Sequence, residues 1–277
     1  MQPTREFSLP PNKVAASVRT DPGCVRETNE DNGRHVSPFA ADNDRGSLTI
    51  VADGMGGHSS GEVASEMAVD LISRYYYGDR DSHLPDALRL AVEQANADIY
   101  DASTADEKFL GMGTTVVVLV IRDGIGYSAH VGDSRLYRMR GGVMERLTVD
   151  HSQVMEMVEL GIISMEEAQH HEDKNVILRA VGTQPTVEVE VSEPFSIEAG
   201  DEFMLCSDGL SDMADDEDIR QVWAGAPDVH EAAERLVELA RVNGGGDNIT
   251  VGIVRATVHD ETHAAKSIPV TREIGVS

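Results

Sequence analysis

Two apolar periods alternate along the chain. Leu88, Val92, Ala95 and Ile99 recur at helical spacing after Pro85, while Asp86, Arg89, Glu93 and Asp98 fall elsewhere, so the segment predicts an amphipathic helix. The same stripe runs through Val63, Met67 and Leu71, and through Ala233, Leu236, Val237 and Ala240, with Asp228 placed to cap the last helix. Other stretches keep the period of a strand. SLTIVAD enters a Gly-rich turn, and the continuous β-branching of GTTVVVLVI marks a strand buried on both faces. In TVEVEVSEP, Val187, Val189 and Val191 alternate with Glu188 and Glu190, which leaves one face covered. Turns at Arg122-Asp123-Gly124 and Arg140-Gly141-Gly142 make hairpins with GYSAHV and between RLYRM and VMERL, so the sheet is largely antiparallel. An all-apolar strand needs a layer on each side. The pattern therefore predicts a single α+β domain with helices outside its sheets.

The ends of the chain lack this patterning. Residues 1–12 read as a flexible leader and 259–277 as a polar tail, leaving 13–258 as the domain. Charge then narrows the function. With 23 Lys plus Arg against 49 Asp plus Glu, the net charge is −26, which leaves no basic face for nucleic acid. The longest apolar run, Val116 to Ile121, is far short of the roughly 20 residues of a membrane span. The N-terminus lacks the apolar region of a secretion signal, so a cytoplasmic location is expected. Cys24 and Cys206 are too few for a disulfide framework, and neither starts the Cys-x5-Arg run of a cysteine phosphatase.

Acidic residues interrupt the apolar pattern at a few places, each at a strand end beside Gly or Asn. Asp53 opens DGMGG, Asp208 opens DGL, Asp133 lies in HVGDSR, Asp247 lies in GGGDNIT, and Glu30 and Asp31 lie in NED. Six carboxylates drawn together repel one another unless cations hold them. An all-oxygen donor set suits Mg²⁺ or Mn²⁺, and no Cys/His cluster with zinc spacing is present. Two divalent ions supply +4 and three supply +6, against −6 from the acids.

RETNEDN, VADGMGGHSSGEVAS, GMGTT, HVGDSRLY, LTVDHS, ILRAVGT, CSDGLSD and GGGDNITV occur in that order. This series resembles the metal-dependent protein phosphatase family, also called protein phosphatase 2C, in its bacterial form, from about Val14 to Val258. The resemblance implies a central antiparallel β-sandwich flanked by helices on both sides, a four-layer αββα arrangement. It implies hydrolysis of phosphoserine and phosphothreonine in proteins by a metal-bridging hydroxide, and a monomer that opposes a Ser/Thr protein kinase. By the same resemblance, Asp53 bridges two tightly bound ions and Gly54 lends its carbonyl oxygen. Asp208 and Asp247 match ligands of the second ion, Glu30 an acidic position near it, and Asp31 an outer carboxylate. Asp133 and Asp208 match ligands of a third, looser ion, and Arg26 matches the arginine that grips the phosphate.

One position departs from the eukaryotic pattern. Met55 stands where those members carry a histidine proposed to protonate the leaving group, so the acid is unassigned, and a metal-bound water is a better candidate than nearby His58. His130 reads as a core histidine and His151 as structural, with Ser152 or Asp150 as the cap of the helix that follows. Residues 152–174 match the family's flap. Two other functions stay open: a phosphatase of a sigma-factor regulatory cascade, and a pseudophosphatase that binds phosphoproteins without turnover. The full acid set argues against the second, because a chain freed from metal has no reason to keep six destabilising carboxylates.

Overall fold

The computed structural model describes residues 13–37, 45–56 and 60–257. The expected leader and tail, and His58, lie outside these. In chain order the elements begin with β1 (Lys13–Asp21), β2 (Asp31–Val36), β3 (Ser47–Met55), α1 (Ser60–Gly78) and α2 (Leu84–Ala105). Next come β4 (Gly113–Thr114), β5 (Val116–Arg122), β6 (Ile125–Val131), β7 (Arg135–Arg140), β8 (Val143–Arg146), α3 (Gln153–Glu159) and α4 (Met165–Gln169). The chain continues through β9 (Glu190–Val191), β10 (Phe195–Ser196), β11 (Glu202–Cys206), α5 (Asp208–Ser211), α6 (Asp216–Ala224), α7 (Val229–Val242) and β12 (Ile249–Thr257).

The strands form two antiparallel sheets, ordered β1-β12-β11-β7-β8 and β10-β6-β5-β3-β2, with β4 beside β3 and β9 beside β6. Alternation along β5 explains its unbroken apolar run. Val117, Leu119 and Ile121 enter the cluster between the sheets with Leu136, Phe203, Leu205 and Val254, whereas Val116, Val118 and Val120 face a second cluster beneath α1 and α2. On the far side, Met204, Val251 and Ile253 pack under Trp223 of α6 and Leu236 and Ala240 of α7. Three apolar interfaces separate four layers, so the structure has the αββα order expected. Among the described residues no helix is long and apolar enough to cross a membrane.

Both hairpins turn in two residues, Asp123-Gly124 and Gly141-Gly142, all four at positive φ, as a tight hairpin between right-twisted strands requires. Asp228 caps α7 by accepting from the amides of His230 and Glu231. Three details differ from the sequence pattern. The fully buried line of α1 is Ala64, Ala68 and Ile72, with Val63 and Met67 only half-buried beside it, because this helix packs on β3 and α2 together and small residues allow both approaches. In TVEVEVSEP only Glu190 and Val191 pair, against His130 and Ala129, although Val189 is still buried. Finally β3 runs past Asp53 to Met55, since Gly54 and Met55 pair with Thr114 and Gly113.

Gly54 makes that extension possible. A Cβ there would lie 2.1 Å from the Gly61 carbonyl oxygen and 2.5 Å from that of Glu30. Gly209, after Asp208, is equally confined, since a Cβ there would lie 1.9 Å from the Asn248 carbonyl oxygen. Gly54→Ala is expected to destabilise the fold by at least about 2 kcal/mol through forced backbone movement. Gly78→Ala at the open end of α1, where an added Cβ meets nothing within 4 Å, is expected to be neutral or to stabilise by up to about 1 kcal/mol. Urea unfolding of the two variants checks the contrast.

Candidate active site

The acids that break the apolar pattern meet at one end of the sandwich. Asp31 opens β2 and pairs directly with Asp53 in β3, and Asp133 follows β6. From the other sheet, Asp208 follows β11 and Asp247 precedes β12. Asp31 and Asp133 are buried, while Glu30, Asp53, Asp208 and Asp247 are half-buried.

Hydrogen bonds between the sheets set this convergence. The Ser207 hydroxyl donates to Asp31 Oδ2 at 2.7 Å and accepts from the Thr250 amide at 2.9 Å. Asn248 accepts from the Glu30 amide at 2.8 Å, and its Nδ2 donates to the carbonyls of Pro22 and Thr28. The Gly54 amide donates to the Glu30 carbonyl at 3.1 Å. Thr115 ties Asp53 to the Asp133 loop, since its hydroxyl accepts from the Asp53 amide at 3.1 Å and shares a 2.7 Å hydrogen bond with Ser134. Next to that loop, Arg135 donates Nε and Nη2 to the buried Asp150, which fixes the start of β7.

Crowding shows in the proton affinities. Burial, helped by neighbouring negative charge and opposed by hydrogen bonds to the carboxylates, pushes Asp31 up to about 7 and Asp133 up to about 7. Burial raises Asp208 to about 6, and lifts Asp53 well above the usual carboxylate range with help from Asp31, Asp208 and Asp133. Glu30 is also raised, chiefly by burial. Asp53 and Asp208 act on each other, Asp208 raising the proton affinity of Asp53 and Asp53 lowering that of Asp208, as neighbouring carboxylates competing for one proton do.

The donor set fits a hard divalent ion. Among the described residues, buried side-chain oxygens without a hydrogen-bond partner are Asp31 Oδ1, Asp133 Oδ1 and Asp208 Oδ1, all in this cluster. Such oxygens cost free energy unless something positive meets them, and carboxylates with nearby backbone carbonyls are Mg²⁺ and Mn²⁺ ligands. Arg26 stands at the exposed rim. Its Nη2 donates to Asp247 Oδ2 at 2.7 Å, a hydrogen bond that raises the affinity of the guanidinium for its proton.

All seven residues expected to surround the ions therefore lie together, with Arg26 on their rim. The sequence reading did not assign Ser207, Asn248, Thr115 or Ser134, which hold the acids rather than join them. Their signal was place in a quoted motif: Ser207, Asn248 and Ser134 each adjoin one of the acids, and Thr115 closes GMGTT. Ser152, left open beside Asp150 as a cap, caps α3, and Asp150 serves Arg135 instead.

A helix-flanked sandwich with a carboxylate cluster at one end defines a metal-dependent phosphatase. The chain belongs to the protein phosphatase 2C family, whose pattern, described as Protein phosphatase 2C, matches residues 27–241. It is 38% identical over 244 residues to the serine/threonine phosphatase Stp of Listeria innocua, across 86% of this chain and 94% of that protein. The crystal structure of the Mycobacterium tuberculosis serine/threonine phosphatase PstP superposes with a TM-score of 0.79 at 35% identity, covering 88% of this chain and 99% of that one. A PstP catalytic domain in complex with two manganese ions gives a TM-score of 0.76 at 34% identity, over 88% and 99% of the two chains. The chain is a serine/threonine protein phosphatase of this type.

The raised carboxylate pKa values predict a pH-dependent penalty in metal-free protein. A folded-state pKa above the unfolded value means the folded state binds more protons between pH 4 and 7, so stability falls as pH rises through that window. His35 and His130, lowered by burial, titrate there with opposite sign, so a comparison with a variant isolates the acid. In chelator, Asp31→Asn is expected to match the parent near pH 4 and to exceed it at pH 8. The displacement from 3.8 to about 7 caps the gain at about 4 kcal/mol. Urea melts across pH 4 to 8 test this.

Proposed function

We propose that this phosphatase hydrolyses phosphoserine and phosphothreonine in cytoplasmic proteins, reversing a Ser/Thr kinase, with divalent ions held by Asp53, Gly54, Asp208 and Asp247 and a looser third ion by Asp133 and Asp208. Glu30 and Asp31 complete the acidic surround. The observation that carries the reading is the meeting of three partnerless buried carboxylate oxygens at the convergence point of both sheets. Two Mn²⁺ or Mg²⁺ ions, when bound, supply Lewis acidity and a water that loses its proton near neutral pH. Manganese in the related PstP supports that choice of metal.

The chain's own groups do the rest. Asp53, at the centre of the acid set and fixed through its amide by Thr115, would serve as a ligand of the ions. Arg26, exposed and long enough to leave Asp247, offers a planar fork to two phosphate oxygens. It also brings positive charge to a dianion approaching a protein of net charge −26. Segment 152–174 is the flap. Lys174 at its end pairs with Asp212 at 2.9 Å, and the Asp212 amide donates to the Asp208 carbonyl, so the segment borders the acids. Exposed Leu160, Ile162 and Met165 give it an apolar surface for the peptide around a phosphorylated residue.

Turnover of p-nitrophenyl phosphate with Mn²⁺ and its abolition by chelator test the reading against a binding-only protein. Full activity after exhaustive chelation overturns it. Asp53→Asn is expected to be the most damaging single change, and a loss of only a few-fold at saturating metal contradicts its central place. Arg26→Ala is expected to raise KM more than it lowers kcat, because a clamp formed in both ground and transition states contributes mostly uniform binding. Steady-state kinetics on a phosphopeptide resolve the two constants.

A further inference from the structure

Outside the acids lies a second polar cluster: one ligand-type atom from each of His130, His151 and Glu190 lies within 4.8 Å of the others. The hydrogen bonds around His151 decide what it does. Its Nδ1 accepts from the Gly132 amide at 3.1 Å, so the ring nitrogen carrying hydrogen is Nε2, which faces Glu190 Oε2 at 3.2 Å. A cation at this cluster would have to displace that hydrogen and leave Nδ1 facing an amide donor with a hydrogen of its own. His130 is committed elsewhere as well. Its Nε2 donates to the Val149 carbonyl at 2.8 Å, and its ring stacks on His151 with centroids 4.6 Å apart. The cluster is therefore a fixed hydrogen-bonded device and not an ion site.

What it fixes is one residue, through the peptide on each side of it. The His151 amide donates to the Gly132 carbonyl at 2.9 Å, so ring and backbone of one residue grip both polar groups of Gly132. Gly132 has φ +103, and a Cβ there would lie 2.7 Å from Thr115 Cβ, so only glycine fits the bend. The next residue is Asp133, with its buried partnerless oxygen. His151 is also where the flap leaves and returns: its carbonyl accepts from the Leu178 amide at 2.8 Å, and Ser152 bridges to Ile177.

We infer that His151, oriented by Glu190 and stacked on His130, is a positioning residue that aims Asp133 by clamping both backbone polar groups of Gly132, and that it joins this aim to the base of the flap. The inference rests on the reading of Asp133 as ligand of the looser ion. Partners that orient a ligand typically govern metal affinity by 10- to 100-fold.

The test uses the full chain, with Mn²⁺ as the probe. Nitrogen NMR of His151 is expected to show a neutral ring with hydrogen on Nε2, and a ring bearing it on Nδ1 overturns the clamp. His151→Leu, which removes the acceptor, is expected to weaken the loosest Mn²⁺ binding measured by calorimetry by about tenfold or more. It is also expected to speed hydrogen exchange at the Gly132 amide. His151→Asn places Oδ1 where Nδ1 lay and is expected to stay within about threefold of the parent. Equal impairment of the Leu and Asn variants overturns the inference, since packing alone would then explain both. If Asp133→Ala loses the loose site while His151→Leu binds as the parent does, the clamp alone is wrong. An unchanged isotherm in Asp133→Ala overturns the ligand role from which the clamp is argued.

Discussion

Repulsion among carboxylates forced into one place is the constraint on which this structure depends. Asp31, Asp53, Asp133 and Asp208 are all pushed toward their protonated forms by loss of water, and the charges of the others add to that burial. A fold tolerates such a centre only when the rest of the chain makes the convergence hard to relax. Here the three apolar interfaces supply that resistance, since each sheet is packed on both faces and neither can slide to separate the acids.

The local chemistry repeats the theme at smaller scale. The two Asp-Gly pairs of the site combine a charge with a residue that lets another backbone come within contact distance, Gly61 and Glu30 at Gly54 and Asn248 at Gly209. Ser207, Thr115 and Asn248 spend their hydrogen bonds on backbones and on one oxygen of Asp31, leaving Asp31 Oδ1, Asp133 Oδ1 and Asp208 Oδ1 without a partner. Satisfying every oxygen with protein donors would have made a stable core polar network with no capacity for a cation. The partnerless atoms are thus a cost kept at the site where it is useful.

Arg26 and the His151 cluster sit on opposite terms with this centre. Arg26 is exposed and held by a single carboxylate, as the proposed exchange of Asp247 for a phosphate requires. The two histidines are buried and His151 is engaged through both ring nitrogens, so it holds the Gly132 backbone without touching the oxygens of the clustered aspartates. Mobility at the rim and rigidity behind it suit a reaction in which substrate enters from water and the attacking group must already be placed.

How much of this was legible in the sequence follows from the range over which each interaction acts. Helix and strand periods, the two-residue hairpin turns and the Asp228 cap are local, and they were readable because each depends on residues a few positions apart. The unbroken apolar run of β5 disclosed that layers lie on both sides, and the placement of Asp and Glu beside Gly and Asn disclosed the acids, because burying such groups is too costly to occur without purpose. Sequence did not disclose that β3 continues through Asp53, that Ser207 reaches Asp31, 176 positions away, or that His151 grips Gly132. Those contacts join residues whose own types allow many partners. Which partner each one meets is decided only when the two sheets stack and bring their ends together.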